Sequence, residues 1–212
     1  SVDHSQHGFF TEAFFDEVAE AADKDPYLLR RELLADKPRH RKLLDTAAEK
    51  AGWNQPVGEG RGRGISLQES FGTLVAQVVE VTVDRGDVTV DRVVLAVDPG
   101  FAVSPDGLTA QMESGVIYGL SAAMYGEINI EEGRVSQSAF ENYPVIRMQD
   151  APLIETHIVN SGEAWGGAGE PGTPGIAPAL ANAIYQATGT RVRQLPVSRY
   201  DLNYRVNEPE EL

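Results

Sequence analysis

The chain contains no cysteine. That excludes disulfides, thiolate nucleophiles, zinc ribbons and any iron–sulfur cluster ligated by this chain, and leaves the redox compartment open. Positive charge is scarce as well. With 18 Lys and Arg against 32 Asp and Glu the net charge is −14, so no basic stripe exists to displace counterions from nucleic acid or to hold an anionic membrane. No apolar run reaches the roughly 18 residues that a bilayer-spanning helix needs. There is no P-loop and no Ser/His/Asp set, and "GRGRG" neither opens a helix after a strand nor matches the dinucleotide fingerprint. Of the four histidines, His4 and His7 lie near the start of the chain with no third ligand beside them. His40, in "PRHRK", reads as part of a solvated helix face, and His157 as a structural residue inside a strand.

What is present reads as helices, then strands, then a helix. Residues 9–23 place Phe10, Phe14, Val18 and Ala21 on one side at helical spacing. "KDPYLLRRELL" predicts a second helix capped by Asp25 with Pro26 at its first position, and "DKPRHRKLLDTAAEKAGW" a third that ends at Gly52. "NQPVGEGRGRG" reads as a glycine-rich linker. The Val-rich stretch 73–98 then alternates with period two around a DRGD turn, the pattern of a long hairpin. Residues 105–125 return to the helical period, with Gly115, Gly119 and Ala122 marking a closely packed face. "GEINIEEGRVSQSAF" predicts a second hairpin, "IETHIV" a further strand, and 173–188 a last helix with Thr173 as N-cap and Gly189 as its stop. The tail "NEPEEL" is expected to fray. The class expected is α+β, with a helical segment at 1–55 and an α+β segment at 56–212.

Chemistry concentrates in "GGAGEPGTPG", where glycines admit a ligand to the backbone, prolines stiffen the loop, and Glu170 is the one carboxylate. Two readings are open. Glu170 either acts on a ligand or complements the dipole of the following helix, an effect of about 0.3–1 kcal/mol. Gln111 and Glu113 in "TAQMESG" either face a ligand or form a solvated stripe. "VDPGFAVSPDG" either builds a backbone anion site at a helix start or is ordinary turn sequence.

The long string "GGAGEPGTPGIAPALANAIYQATGTRVRQLP" resembles the C-terminal signature of the xanthine dehydrogenase/aldehyde oxidase family of molybdenum hydroxylases. It is most similar to the large, molybdopterin-binding subunit of the branch containing isoquinoline 1-oxidoreductase and related aldehyde-oxidising enzymes. "FFTEAFFDEVAEAADKDPYLLRRELL", "GRGRGISLQESFGTLVAQVVEVTVD", "AVDPGFAVSPDGLTAQMESGVIYGLS" and "NYPVIRMQDAPLIETHIV" resemble the same subunit in the same order, so the likeness covers essentially residues 1–200. Xanthine dehydrogenases carry a long stretch between the counterparts of Phe71 and Thr73 that is missing here, which favours the isoquinoline branch.

The resemblance implies oxidation of an aldehyde or an N-heterocyclic aromatic with water as oxygen source. It places Glu170 beside the metal as general base and Gln111 on the pterin cofactor, with Ala168 and Gly169 lining the same pocket. It implies molybdopterin cytosine dinucleotide carrying molybdenum, with no metal ligand from this chain. The implied partners are the N-terminal portion of the molybdopterin subunit as a separate chain, a small subunit carrying [2Fe–2S] clusters, and a cytochrome c beyond it. The chain is expected to be a segment of a longer protein, periplasmic in this branch, with the cytoplasm as alternative. A non-catalytic structural or binding subunit of such a complex is the competing reading.

Overall fold

The structure is a computed structural model and describes residues 1–203. The tail "NEPEEL" lies outside the described residues. Three helices come first: α1 (Asp3–Ala21), α2 (Pro26–Leu33) and α3 (Pro38–Ala51). The Asp25 carboxylate accepts the Leu28 N–H at 2.9 Å, satisfying one of the donors that a helix start leaves free. Gly52 takes the left-handed conformation at φ 65° and ends α3. Strands β1 (Arg61–Ser70), β2 (Thr73–Asp84) and β3 (Asp87–Asp98) form an antiparallel meander. Its two turns, Phe71-Gly72 and Arg85-Gly86, have positive φ at both residues, as the twist of a two-residue hairpin demands. There follow α4 (Pro105–Tyr125), a short hairpin of β4 (Ile130–Glu131) and β5 (Arg134–Val135), β6 (Leu153–Ile158) and α5 (Ile176–Thr188). β6 joins the sheet parallel to β3, giving the order β1-β2-β3-β6.

The sheet is covered on both faces. Leu43, Leu44 and Ala47 of α3 pack with Ile65, Leu74, Val78 and Val94 on one side. α4 and α5 pack with Val75, Val79, Leu95 and Val97 on the other. This alternation places successive strand residues in different cores. The mixed α+β class holds, with helices layered on both faces of the sheet.

Four local expectations change. "GRGRG" is strand from Arg61 onward, not linker. A Cβ at Gly62 would stand 2.0 Å from the Ala183 carbonyl oxygen, and one at Gly64 2.1 Å from that of Ala179. These glycines let the backbone of α5 lie against β1. The first helix begins at Asp3, and its predicted apolar stripe faces outward: Phe10 and Phe14 are each 63% exposed, while Phe9 and Ala19 are buried. The helix carries two apolar stripes, and periodicity alone does not choose between them. His40 lies partly exposed on α3, with Nε2 3.3 Å from Glu69 Oε2, so it is less open to solvent than its flanking sequence suggests. On α4, Gly115 and Gly119 meet Gly172 and Ile176 at close range as expected, whereas Ala122 is exposed.

Around α1 the packing is polar. Arg30 is buried, donates from Nε to Glu12 Oε2 at 3.0 Å, and brings Nη1 to 2.6 Å from Asp16 Oδ1. Glu12 also accepts the Leu67 N–H from the outer edge of β1 at 2.9 Å. Further along that edge the Arg63 N–H donates to Gln186, and the Asn182 amide reaches the Ile65 carbonyl. Burial pushes the Asp16 carboxyl from 3.8 up to about 6, against the pull of Arg30.

Two outcomes are expected. Gly64→Ala should destabilise the protein by about 3 kcal/mol, the upper end of overpacking costs, in urea melts. Gly58→Ala, whose Cβ would make ordinary contact with Arg61 at 3.7 Å, should be near neutral; equal effects would refute the close-approach account. For Asp16, the folded state binds the proton more tightly than the unfolded one. The Asp16 contribution to stability therefore falls as pH rises from about 4 to about 6, and the stability difference shifts toward Asp16→Asn across that window and is flat above about pH 7. A pH-independent difference would remove the buried-acid account.

Candidate functional site

Within the Val-rich strands, Ser66 and Gln77 are directly paired across β1 and β2. Both are fully buried on the face that carries α5. The Ser66 hydroxyl donates to the Gly175 carbonyl at 2.7 Å, and Gln77 Nε2 donates to the Gly172 carbonyl at 2.7 Å. A Cβ at Gly175 would fall 2.3 Å from Gln77 Oε1, so only glycine fits there. This pair therefore clamps the rear of the Gly/Pro loop to the sheet. The front is tied by Gly167 N–H to the Phe71 carbonyl at 2.7 Å and by Gly166 N–H to the Pro99 carbonyl at 3.0 Å.

A second anchor is Asp98, fully buried at the end of β3. It accepts Arg39 Nε at 2.6 Å, the Gly100 N–H at 2.9 Å and the Ser161 hydroxyl at 3.0 Å. Burial works to raise its carboxyl, but these donors outweigh that and hold it below the ordinary carboxylate value. Loop 99–103 is thereby fixed to α3 and to loop 160–167.

Between these anchored loops opens a pocket of about 450 Å³, within the usual range for small-molecule sites. Its walls are Pro99, residues 101–104, Gly107, Leu108 and Gln111 on one side, and Trp165, Gly166, Ala168 and Gly169 on the other. Gln111 Nε2 donates to the Gly169 carbonyl at 2.6 Å, joining α4 to the Gly/Pro loop. Among the described residues its Oε1 and second N–H take no other bond. Gln111, Ala168 and Gly169 thus come together, along with the start of α4.

Glu170 follows directly on this wall but does not line the pocket. Its side chain is 56% exposed, with Oε1 3.1 Å from the Ser1 nitrogen. Glu113 does not line the pocket either, so the pairing of Gln111 with Glu113 separates. The helix-dipole reading of Glu170 fails. α5 is capped by Gly175, not Thr173, and Thr173 instead closes a turn by donating its N–H to the Glu170 carbonyl at 3.0 Å. The dipole effect fades within one turn, and Glu170 stands five residues before that cap. Among the described residues no group of three or more His, Asp or Glu side chains gathers as metal ligands, and no helix is long and apolar enough to cross a membrane.

Sequence reasoning missed Ser66, Gln77 and the Asp98–Arg39 pair. The signal for the first two was available: polar residues at core positions of otherwise apolar strands require partners.

Residues 12–152 match the molybdopterin cofactor-binding domain. The chain belongs to that family. It is 34% identical to the beta subunit of isoquinoline 1-oxidoreductase from Brevundimonas diminuta, over 91% of its own length and 25% of the relative's. With the membrane-bound aldehyde dehydrogenase (pyrroloquinoline-quinone) of Gluconacetobacter polyoxogenes the identity is 32%, over 90% of this chain and 27% of the relative. Among solved structures, the aldehyde oxidoreductase of Desulfovibrio gigas superposes with a TM-score of 0.54 at 22% identity, over 62% of this chain and 15% of the other. That last likeness speaks for the fold. The chain spans about a fifth to a quarter of the length of the curated relatives it matches.

The pocket suits a molybdopterin in kind. A pterin edge presents donors and acceptors that the free amide atoms of Gln111 can match. A phosphate is complemented by the N-terminus of α4, where Ser104 and Gly107 line the pocket. A Cβ at Gly169 would meet nothing within 4 Å, so the wall beside Glu170 faces open space.

Replacing Gln77 with Leu leaves the buried Gly172 carbonyl without a donor and should cost about 1–3 kcal/mol. Hydrogen exchange should quicken at residues 170–176 before the sheet is affected. Unchanged exchange in that loop would show that the clamp does not hold it.

Proposed function

We propose that this chain supplies one wall of the cofactor and reaction site of a molybdenum hydroxylase that oxidises aldehydes or N-heterocyclic aromatics with water as oxygen source. The observation that carries the reading is the Gln111–Gly169 hydrogen bond. It brings the α4 start and the Gly/Pro loop into one pocket, with Glu170 on the residue next to its wall. When bound, the cofactor supplies the two-electron redox chemistry, and the protein supplies position and a base.

In this reading Gln111 holds the pterin edge while the Ala168 and Gly169 backbone sets the distance of closest approach. Glu170 accepts the proton that water must lose as its oxygen is transferred, an assistance of about 10²–10⁴ in rate. Its exposure accords with a site completed by protein outside this chain. The proposed complement is the N-terminal portion of the molybdopterin subunit as a separate chain. Electrons then leave through a small [2Fe–2S] subunit and a cytochrome c, because a chain without cysteine cannot itself ligate such clusters. Molybdopterin cytosine dinucleotide is the cofactor form proposed, and the periplasm the compartment.

The exposed Glu170 carboxylate also favours a second reading, a subunit that binds the cofactor without catalysing. One variant separates the two. Glu170→Gln, purified in the intact complex with full molybdenum content, should lose at least about 10²-fold in kcat. Turnover retained at wild-type rate would remove the general base and leave the binding role.

A further inference from the structure

Two large aromatic side chains line the pocket and serve neither core. Phe101 is 51% exposed and Trp165 is 73% exposed. Their rings stack with centroids 6.1 Å apart and planes inclined by 25°. Both line the pocket that contains Gln111. Exposed aromatics on mobile loops would be ordinary, but these loops are locked. Gly100, next to Phe101, has φ +84°, and a Cβ there would lie 2.6 Å from the carbonyl oxygens of Glu163 and Ala164. Gly166, next to Trp165, is pressed against the first hairpin turn, where a Cβ would come within 2.3 Å of Thr73 Oγ1. The Gly162 N–H donates to the Gly100 carbonyl at 2.9 Å, and the Ala102 N–H to Asn160 Oδ1 at 2.9 Å. The fold therefore uses some of its tightest backbone contacts to present two aromatic rings to solvent, in the pocket that Gln111 also lines.

We propose that Trp165, backed by Phe101, is a stacking platform for the flat pterin heterocycle of the cofactor whose edge Gln111 meets. The inference rests on the cofactor reading of this pocket. A fused nitrogen heterocycle offers a wide π face and a hydrogen-bonding edge, and the pocket has both an aromatic pair and an amide in its lining. An aromatic plane holds such a ring without regard to its substituents, while the amide fixes its rotation.

The test uses the intact enzyme purified under native conditions. Retention of molybdenum, by elemental mass spectrometry, and of pterin, by fluorescence after oxidative release, is followed during dialysis. Trp165→Ala should lose both about tenfold faster than wild type, as expected for one ring–aromatic stack. Trp165→Phe should restore most of the retention. Melting curves should stay unchanged, because the side chain lies outside the core. Wild-type retention in Trp165→Ala would overturn the platform. So would a raised KM for an N-heterocyclic substrate at undiminished cofactor content, which would assign the ring to substrate. Impaired subunit assembly at undiminished cofactor content would likewise overturn it in favour of a protein contact. A wild-type enzyme carrying neither molybdenum nor pterin would fail the proposed function itself, and the platform with it.

Discussion

The closeness of α5 to β1 is the constraint on which the rest depends. Gly62 and Gly64 place no side chain between strand and helix, so the helix backbone rests directly on the sheet. That fixes where α5 begins, and hence where the Gly/Pro loop must arrive. Ser66 then continues the same face of β1, with Gln77 beside it on β2, and the two polar side chains take the last carbonyls of that loop. A loop of glycines and prolines has few side chains with which to hold itself. Its shape is imposed from beneath by hydrogen bonds that are strong because they are buried. The same logic operates at Asp98, whose burial would be costly without the three donors that converge on it.

Much of the fold was legible because local rules and tertiary structure agree. Asp25-Pro26 starts α2, Gly52 and Gly189 stop their helices, and the DRGD turn joins two alternating strands, all by backbone physics that needs no distant partner. Where the reading failed, distant partners decided. Glycines 62 and 64 look like a linker until a helix from the far end of the chain is laid upon them. Helix α1 has apolar residues on two sides, and only its docking on the rest of the protein, chiefly α5, selects Phe9 and Ala19 for the interior. Thr173-Pro174 carries the local signature of a helix start, yet the clamp at Gly172 and Gly175 moves the cap two residues onward, to Gly175.

The candidate site divides in the same way. Gln111 stood out in its motif, Ala168 and Gly169 were implied by the family resemblance, and the structure gathers all three into one pocket. Glu170 stands beside that pocket, its role resting on a family resemblance that the geometry of this chain accommodates. The aromatic pair was invisible in sequence, since Phe101 and Trp165 are 64 positions apart and become neighbours only through the parallel pairing of β3 with β6. Chain topology, not motif, brought them together.

The side chains lying along the outer margin of β1 have a consequence for self-association. An unpaired strand edge is ordinarily a template on which another strand can grow. Here Glu12, Gln186 and Asn182 occupy the very groups that a newcomer would use. Glu12 is itself held by a buried guanidinium, so it cannot swing away without stranding a charge. The meander is thus sealed against amyloid-like addition at its first strand, by polar residues of helices that would otherwise be counted only as packing elements.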